Sequence, residues 1–246
     1  MSPSGVGEML KPFVFLDLFH ADVSTFKDLP LHPHSGIGTV TVVTEGELRF
    51  DDPGSGSGVV GYGGVEWMRA GGGVWHGKEM SPVGSQAVRG FQLWIALPPE
   101  LEDGPSEGQF FEARNIPSVG PARVIIGEYA GLKSPANAPA GITYLLVTLA
   151  PGAHWTFQPP EGQDVAFVSV ARGSLNAAEQ ISEGELAVFE RGRDAIELNA
   201  GSGGATFVLG SAVPHPHDLV LGHYSVHSSV EALRAGETRI AALRPR

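Results

Sequence analysis

The 246-residue chain, 42% hydrophobic and 17% charged, can bury a sizeable core; it fits one large β-domain or two of ordinary size and excludes an extended disordered protein. A net charge of −11 repels polyanions, and the densest basic group (Arg234, Arg239, Arg244 and Arg246) lies among polar residues as on a solvated helix face, which argues against direct nucleic-acid binding. The lack of cysteine excludes disulfides, thiolate metal sites and cysteine nucleophiles, so any transition-metal chemistry falls to histidine and carboxylates.

The first eleven residues lack a basic stretch followed by an apolar one, and no segment approaches the ~18 apolar residues of a membrane span, so a soluble cytoplasmic protein is expected. Glycine (34) and proline (19) punctuate a chain that turns often, which favours an all-β fold of many short strands. Residues 38–44 are rich in β-branched side chains, and Glu45-Gly46 turns them into 47–50, a predicted hairpin. A Gly/Ser/Pro loop at 51–58 precedes strands at 59–60, 65–68 and 91–97. The Pro- and acid-rich stretch 98–121 is expected to cross between lobes, and 131–141 reads as a linker or surface loop.

A second strand series follows at 142–149, 165–170, 186–189 and 205–209. Placing Gly46 on Gly173 and Gly64 on Gly184 aligns Thr-Glu-Gly-Glu-Leu with Ala-Arg-Gly-Ser-Leu, a weak internal repeat that suggests a duplicated β-unit. At the end, Ser228-Ser-Val-Glu231 forms a capping box that opens a short helix over 232–235, stopped by Gly236.

Spacing sorts the nine histidines. His32-Pro33-His34 on extended backbone turns both imidazoles to one face, and the proline stiffens the pair. His76 ends a glycine-rich turn that can bring its strand alongside a neighbour, and Glu79 offers an oxygen ligand three residues on. Three imidazoles and a carboxylate leave one or two positions open on a first-row metal for dioxygen or an oxyanion; calcium and magnesium prefer an all-oxygen shell. His215-Pro-His217-Asp218, with His223 and His227, repeats the pattern but follows the last strand of the second series, so a surface or interlobe role is expected. His154 and His20 are expected to be hydrogen-bonded packing residues. Trp67, Trp75 and Trp94 are expected in the core, with one of them free to wall a pocket.

These segments resemble the pirins, two-domain members of the cupin superfamily. The resemblance begins at Pro12-Phe-Val-Phe-Leu-Asp-Leu-Phe19 and runs through His32-Pro-His-Ser-Gly-Ile-Gly-Thr-Val-Thr-Val-Val-Thr-Glu-Gly46. It is strong in Val65-Glu-Trp-Met-Arg-Ala-Gly-Gly-Gly-Val-Trp-His76, includes Phe91-Gln-Leu-Trp-Ile-Ala-Leu-Pro-Pro99, and fades in the C-terminal lobe. It implies two cupin-type β-barrel (double-stranded β-helix, or jelly-roll) domains in tandem with few short helices: an N-terminal metal-binding domain over 1–130 and a C-terminal one over 131–246 without metal ligands.

It also implies iron(II) on His32, His34 and His76, ligands whose chemistry also accepts zinc, nickel, copper or manganese. The family pattern is His, one residue, then Glu; here His76-Gly-Lys-Glu79 has one residue more, so Glu79 or water completes the shell. A glutamate common four residues after the second histidine is Gly38 here. The function implied is an iron-dependent dioxygenase acting on a flavonol such as quercetin, with Glu79 as the catalytic proton acceptor. The alternative is a non-enzymatic iron- or redox-responsive regulator that binds a transcription factor or metabolic enzyme.

Overall fold

The computed structural model describes residues 1–22, 31–52, 56–77, 80–84 and 87–245. It divides into two compact units: unit 1 comprises Met1–Arg114 with His215–Arg246, and unit 2 comprises Asn115–Pro214.

Unit 1 contains helices α1 (Val6–Leu10), α2 (Pro99–Glu102) and α3 (Val230–Leu243). Its strands are β1 (Phe13–Asp22), β2 (His32–His34), β3 (Ile37–Glu45), β4 (Leu48–Asp52), β5 (Gly56–Val60), β6 (Val65–Arg69), β7 (Val74–His76), β8 (Met80–Pro82), β9 (Ala87–Ala96) and β10 (Glu107–Phe111). A main antiparallel sheet has the order β1-β9-β3-β6-β10, and β5-β4-β8 and β2-β7 form two smaller sheets. β3 is buried along most of its length, as its β-branched run requires of a strand covered on both faces.

The hairpin predicted across Glu45-Gly46 does not form. Both strands exist, but β3 pairs with β6 and β9, whereas β4 pairs with β5 and β8. Gly46, at φ 78°, takes a left-handed conformation that lets the chain leave one sheet for another instead of folding back on itself. Part of the expected 51–58 loop is instead strand, since β4 and β5 are themselves a hairpin.

Unit 2 holds β11 (Ser118–Val119), β12 (Ala122–Tyr129), β13 (Leu132–Lys133), β14 (Ile142–Leu149), β15 (His154–Phe157), β16 (Val165–Asn176), β17 (Gln180–Ser182), β18 (Leu186–Val188) and β19 (Ile196–Ala212). They form one nine-stranded sheet system, with β14, β19 and β16 adjacent. Its interior is filled by Val124, Leu145, Phe157, Val168, Leu198 and Phe207, with Tyr129 and Trp155 packed against them. The fold is therefore all-β and of jelly-roll type, built from open sheets instead of closed barrels.

Of the two expectations for 131–141 the loop holds and the linker does not: apart from β13 the segment is irregular. It lies inside unit 2, where β13 pairs with β12 and Ser134 Oγ donates to the Ile125 carbonyl at 2.7 Å. The contact units thus differ from a division at residue 130: the chain enters unit 2 near Asn115 and returns to unit 1 at His215. Within unit 1 the returning segment is held by a bridge between Ser35 and Ser225 and by the His215 amide, which donates to the Lys11 carbonyl. It adds β20 (Val220–Leu221), β21 (Val226–His227) and α3.

Backbone hydrogen bonds fix the internal repeat. Gly63 N donates to Val43 O and Val43 N to Gly64 O in unit 1, while Gly184 N donates to Val170 O and Val170 N to Glu185 O in unit 2. Val43 therefore matches Val170, and Gly46 matches Gly173 as the sequence suggested. Gly184 matches Gly63 rather than Gly64, one residue off the sequence alignment, because both sites need a left-handed glycine (φ 82° and 74°). In this register Glu197 stands at the place of His76. Glu197 is half-exposed and is occupied by His154 Nε2 at 2.7 Å and by the Thr156 hydroxyl at 2.8 Å.

α3 also runs past its predicted stop. Ser229, not Ser228, caps it by accepting from Ala232 N, and Gly236 is an interior helix position. Glycine is needed there for space: a Cβ would lie 2.6 Å from Ser35 Oγ and 2.7 Å from His227 Nε2. Among the described residues no helix is long and apolar enough to cross a membrane.

Candidate metal centre

In the β2-β7 pair His32 lies opposite His76 and His34 opposite Val74. Residues two apart on a strand share a face, and directly opposed residues have neighbouring Cβ atoms, so this single pairing delivers three imidazoles to one point. Ring centroids are 4.4 Å apart for His32–His76, 4.9 Å for His32–His34 and 5.1 Å for His34–His76. One ligand nitrogen from each ring lies within 4.8 Å of the others.

The chemistry of these nitrogens suits a metal. His34 Nδ1 donates to the Tyr224 carbonyl at 2.9 Å, which fixes the tautomer and leaves Nε2 as a bare lone pair. His76 Nε2 is buried without a hydrogen-bond partner in the described structure, a condition that costs about 1–3 kcal/mol unless something occupies it. Burial holds the pKa of His34 down at about 3, helped by the charge His76 would carry; burial and then His32 hold His76 at about 4. Both rings are neutral near pH 7, as ligands must be.

These depressed values predict a pH dependence for the metal-free protein. The unfolded chain takes up protons on these rings near the ordinary pKa of 6.5, while the folded one resists until about 4 and 3. Stability is therefore greatest above about pH 6.5 and is lost as pH falls toward 4. Thermal melts of chelator-treated protein at pH 7 and pH 5 should show the lower midpoint at pH 5. A flat profile from these two sites, tested against His34→Gln, would contradict the burial argument.

A cavity of about 320 Å³ opens onto the imidazoles, within the usual size of small-molecule sites. Phe15, Phe19 and Trp94 from the main sheet and Leu48 and Met80 from the β5-β4-β8 sheet wall it, with Asp17, Thr41, Glu66 and Gln92 among them. Of the tryptophans, Trp67 is fully buried, Trp94 lines the cavity and packs edge-on to His34 at 5.0 Å, and Trp75 donates to the Ile240 carbonyl of α3 at 2.9 Å. Gly38, where the resemblance leads one to expect glutamate, lies beneath the Trp67 indole, which a Cβ there would strike. Glu79 and Lys78 lie outside the described residues.

The C-terminal histidines do not simply decorate a surface. His223 is exposed and His217 half-buried, but His215 and His227 are buried in unit 1. His227 Nε2 is 2.9 Å from Ser35 Oγ, and its Nδ1 is 3.4 Å from Glu102 Oε2, an ion-pair distance without hydrogen-bond alignment. Glu102 accepts from Ser228 N at 2.8 Å and from Ser228 Oγ at 2.6 Å. The order Ser–His–Glu matches a nucleophile relay, yet Ser35 is fully buried beneath Gly236, so the cluster braces the residue next to His34. Sequence reasoning missed this role of Tyr224, Glu102 and His227, which depends on contacts some 125 to 190 residues apart. Of the expected packing histidines, His20 is exposed, and His154 is half-exposed but hydrogen-bonded to Asn199.

Two jelly-roll units in one chain, with clustered imidazoles inside one of them, define a bicupin with a candidate metal centre. The chain belongs to the pirin family. The Pirin family profile matches residues 2–95. A pirin-like protein of Caulobacter vibrioides is 34% identical over 202 residues, covering 78% of this chain and 72% of that protein. The solved structure of a quercetin 2,3-dioxygenase from Acinetobacter baumannii is similar with a TM-score of 0.81 and 25% identity, covering 97% of this chain and 87% of the other. The fold is also that of the Escherichia coli pirin YhhW solved with nickel(II), at a TM-score of 0.63, 17% identity and coverage of 82% and 83%.

Proposed function

We propose that this protein is a metal-dependent dioxygenase whose substrate is a flavonol such as quercetin, with His32, His34 and His76 as protein ligands and Glu79 as the fourth ligand and proton acceptor. The observation that carries the reading is an aromatic-walled cavity that reaches three converging imidazoles, of which burial keeps His34 and His76 neutral. A regulator that only docks another protein has no need of such a cavity. The quercetin dioxygenase named among the similar structures supports the substrate class, and the nickel(II) of YhhW supports a first-row divalent metal, for which iron(II) is the first choice here.

When bound, such a metal supplies a Lewis-acid centre that gathers the hydroxyl-ketone edge of the substrate and dioxygen. The chain supplies the rest. Phe15, Phe19 and Trp94 hold the flat ring system, and Leu48 and Met80 close over it and exclude water. Glu79 takes the hydroxyl proton, which makes the substrate oxygen a better donor. Incubating iron-loaded protein with quercetin under air should bleach the flavonol absorbance faster than free iron does. Equal rates for the protein, for His76→Ala and for free iron would discard this activity.

A further inference from the structure

The C-terminal segment that returns to unit 1 reaches the imidazoles through a single turn. β20 and β21 pair as a hairpin, and the turn between them is closed by Gly222 N donating to Ser225 O at 2.9 Å. Tyr224 stands in this turn, and the backbone around it is held from three sides. The Tyr224 carbonyl accepts from His34 Nδ1, Ser225 Oγ accepts from Ser35 Oγ at 2.8 Å, and a Cβ on Gly222 would lie 2.8 Å from the Leu233 side chain of α3.

None of these contacts uses the Tyr224 ring. Its centroid lies 5.8 Å from that of His32 and 5.8 Å from that of His34, and it lines the imidazole cavity while remaining 36% exposed. Exposed His223 packs on it edge-on at 4.3 Å. His34 thus has an aromatic neighbour from the main sheet, Trp94, and a second one from the returning segment.

An aromatic side chain left in water at a cavity is apolar surface that a flat ligand can cover. Because the turn is already clamped, binding does not have to order its backbone, which lowers the entropic cost. Placement decides which part of the ligand the ring meets. Beside His32 and His34 it stands at the imidazole end of the cavity, where the hydroxyl-ketone edge of a flavonol would lie.

We infer that the ring of Tyr224 is a binding residue of this cavity and secures the hydroxyl-ketone ring of an aromatic ligand at the metal centre. The inference rests on reading the cavity as a flavonol site. One residue then serves two partners: its carbonyl aims the His34 imidazole, and its ring holds the ligand gathered beside that imidazole.

The test measures anaerobic binding of quercetin and of maltol, a single-ring hydroxypyranone with the same hydroxyl-ketone edge, to iron(II)-loaded protein, with metal content checked after each titration. Tyr224→Ala keeps the carbonyl and is expected to weaken both ligands about tenfold at unchanged metal content, whereas Tyr224→Phe, which keeps the ring, stays within about twofold of the parent. Tyr224→Leu, apolar but without an aromatic face, decides the matter if Tyr224→Ala does not fold. Loss of quercetin binding alone, with maltol bound as before, overturns the inference, as does a Tyr224→Phe no better than Tyr224→Ala. Loss of metal in Tyr224→Ala overturns it too, because the side chain would then support the imidazoles and not the ligand. If the parent and Tyr224→Ala bind both ligands equally well, the dioxygenase reading stands and this inference falls; if the parent binds neither, both fall.

Discussion

Replacing His76 by alanine is expected to lower bound metal from about one ion per chain to under about a tenth, and flavonol consumption to the rate of free metal. The reason is geometric. β2 supplies two nitrogens from one strand, but only its register with β7 sets a third beside them, His76 lying opposite His32. Two imidazoles without the third leave a site more open to water and competing ligands, and removal of a shared centre takes binding and activity together. His32→Ala should behave like His76→Ala, whereas His215→Ala should keep its metal, since its ring belongs to a different buried contact beside His217. Elemental analysis of the purified variants decides the point. Near-stoichiometric metal in His76→Ala would remove the basis of the proposed function.

A second large effect is expected from Glu102→Ala, far from the metal ligands in sequence. Glu102 is buried, receives two hydrogen bonds from Ser228 and faces His227, so its removal leaves the half-buried Ser228 donors without this acceptor and the buried His227 ring without its carboxylate neighbour. A loss of about 3 kcal/mol follows, or about 6–12 °C in melting midpoint for a chain of this size. The same cluster holds Ser35, the neighbour of His34, and the segment whose Tyr224 carbonyl orients the His34 ring. Metal affinity should accordingly fall about tenfold or more, the usual effect of losing an outer partner of a ligand. Calorimetry and metal titration on one preparation separate the two losses. A variant that melts early but binds metal as tightly as the parent would show that the brace does not act on His34.

The sequence by itself determined the elements and the ligand types. Short apolar and β-branched runs between glycine and proline turns marked β3, β6, β9, β14 and β16 near their observed places, because strand formation answers to local side-chain pattern. The prolyl-spaced pair His32 and His34 was legible because alternation along one strand is a local property, and the absence of cysteine left imidazole and carboxylate as the available donors. The glycine punctuation even exposed the internal repeat, though one residue out of register at Gly63.

Pairing was decided only by the tertiary structure. Nothing local distinguishes a hairpin between β3 and β4 from a crossing between sheets, since a left-handed glycine serves both, and the choice rests on which apolar faces can be buried together. Likewise Gly236 reads as a helix stop until Ser35 and His227 are seen against it, and Glu66 reads as a routine strand residue until Thr41 and Gln92 stand beside it. Long-range contacts carry no signal in a short window of sequence, because the energy that selects them is the burial and hydrogen bonding of partners from 25 to 192 residues away. For that reason the imidazoles could be named from the chain, while the carbonyl that aims one of them and the carboxylate that braces it had to come from the fold.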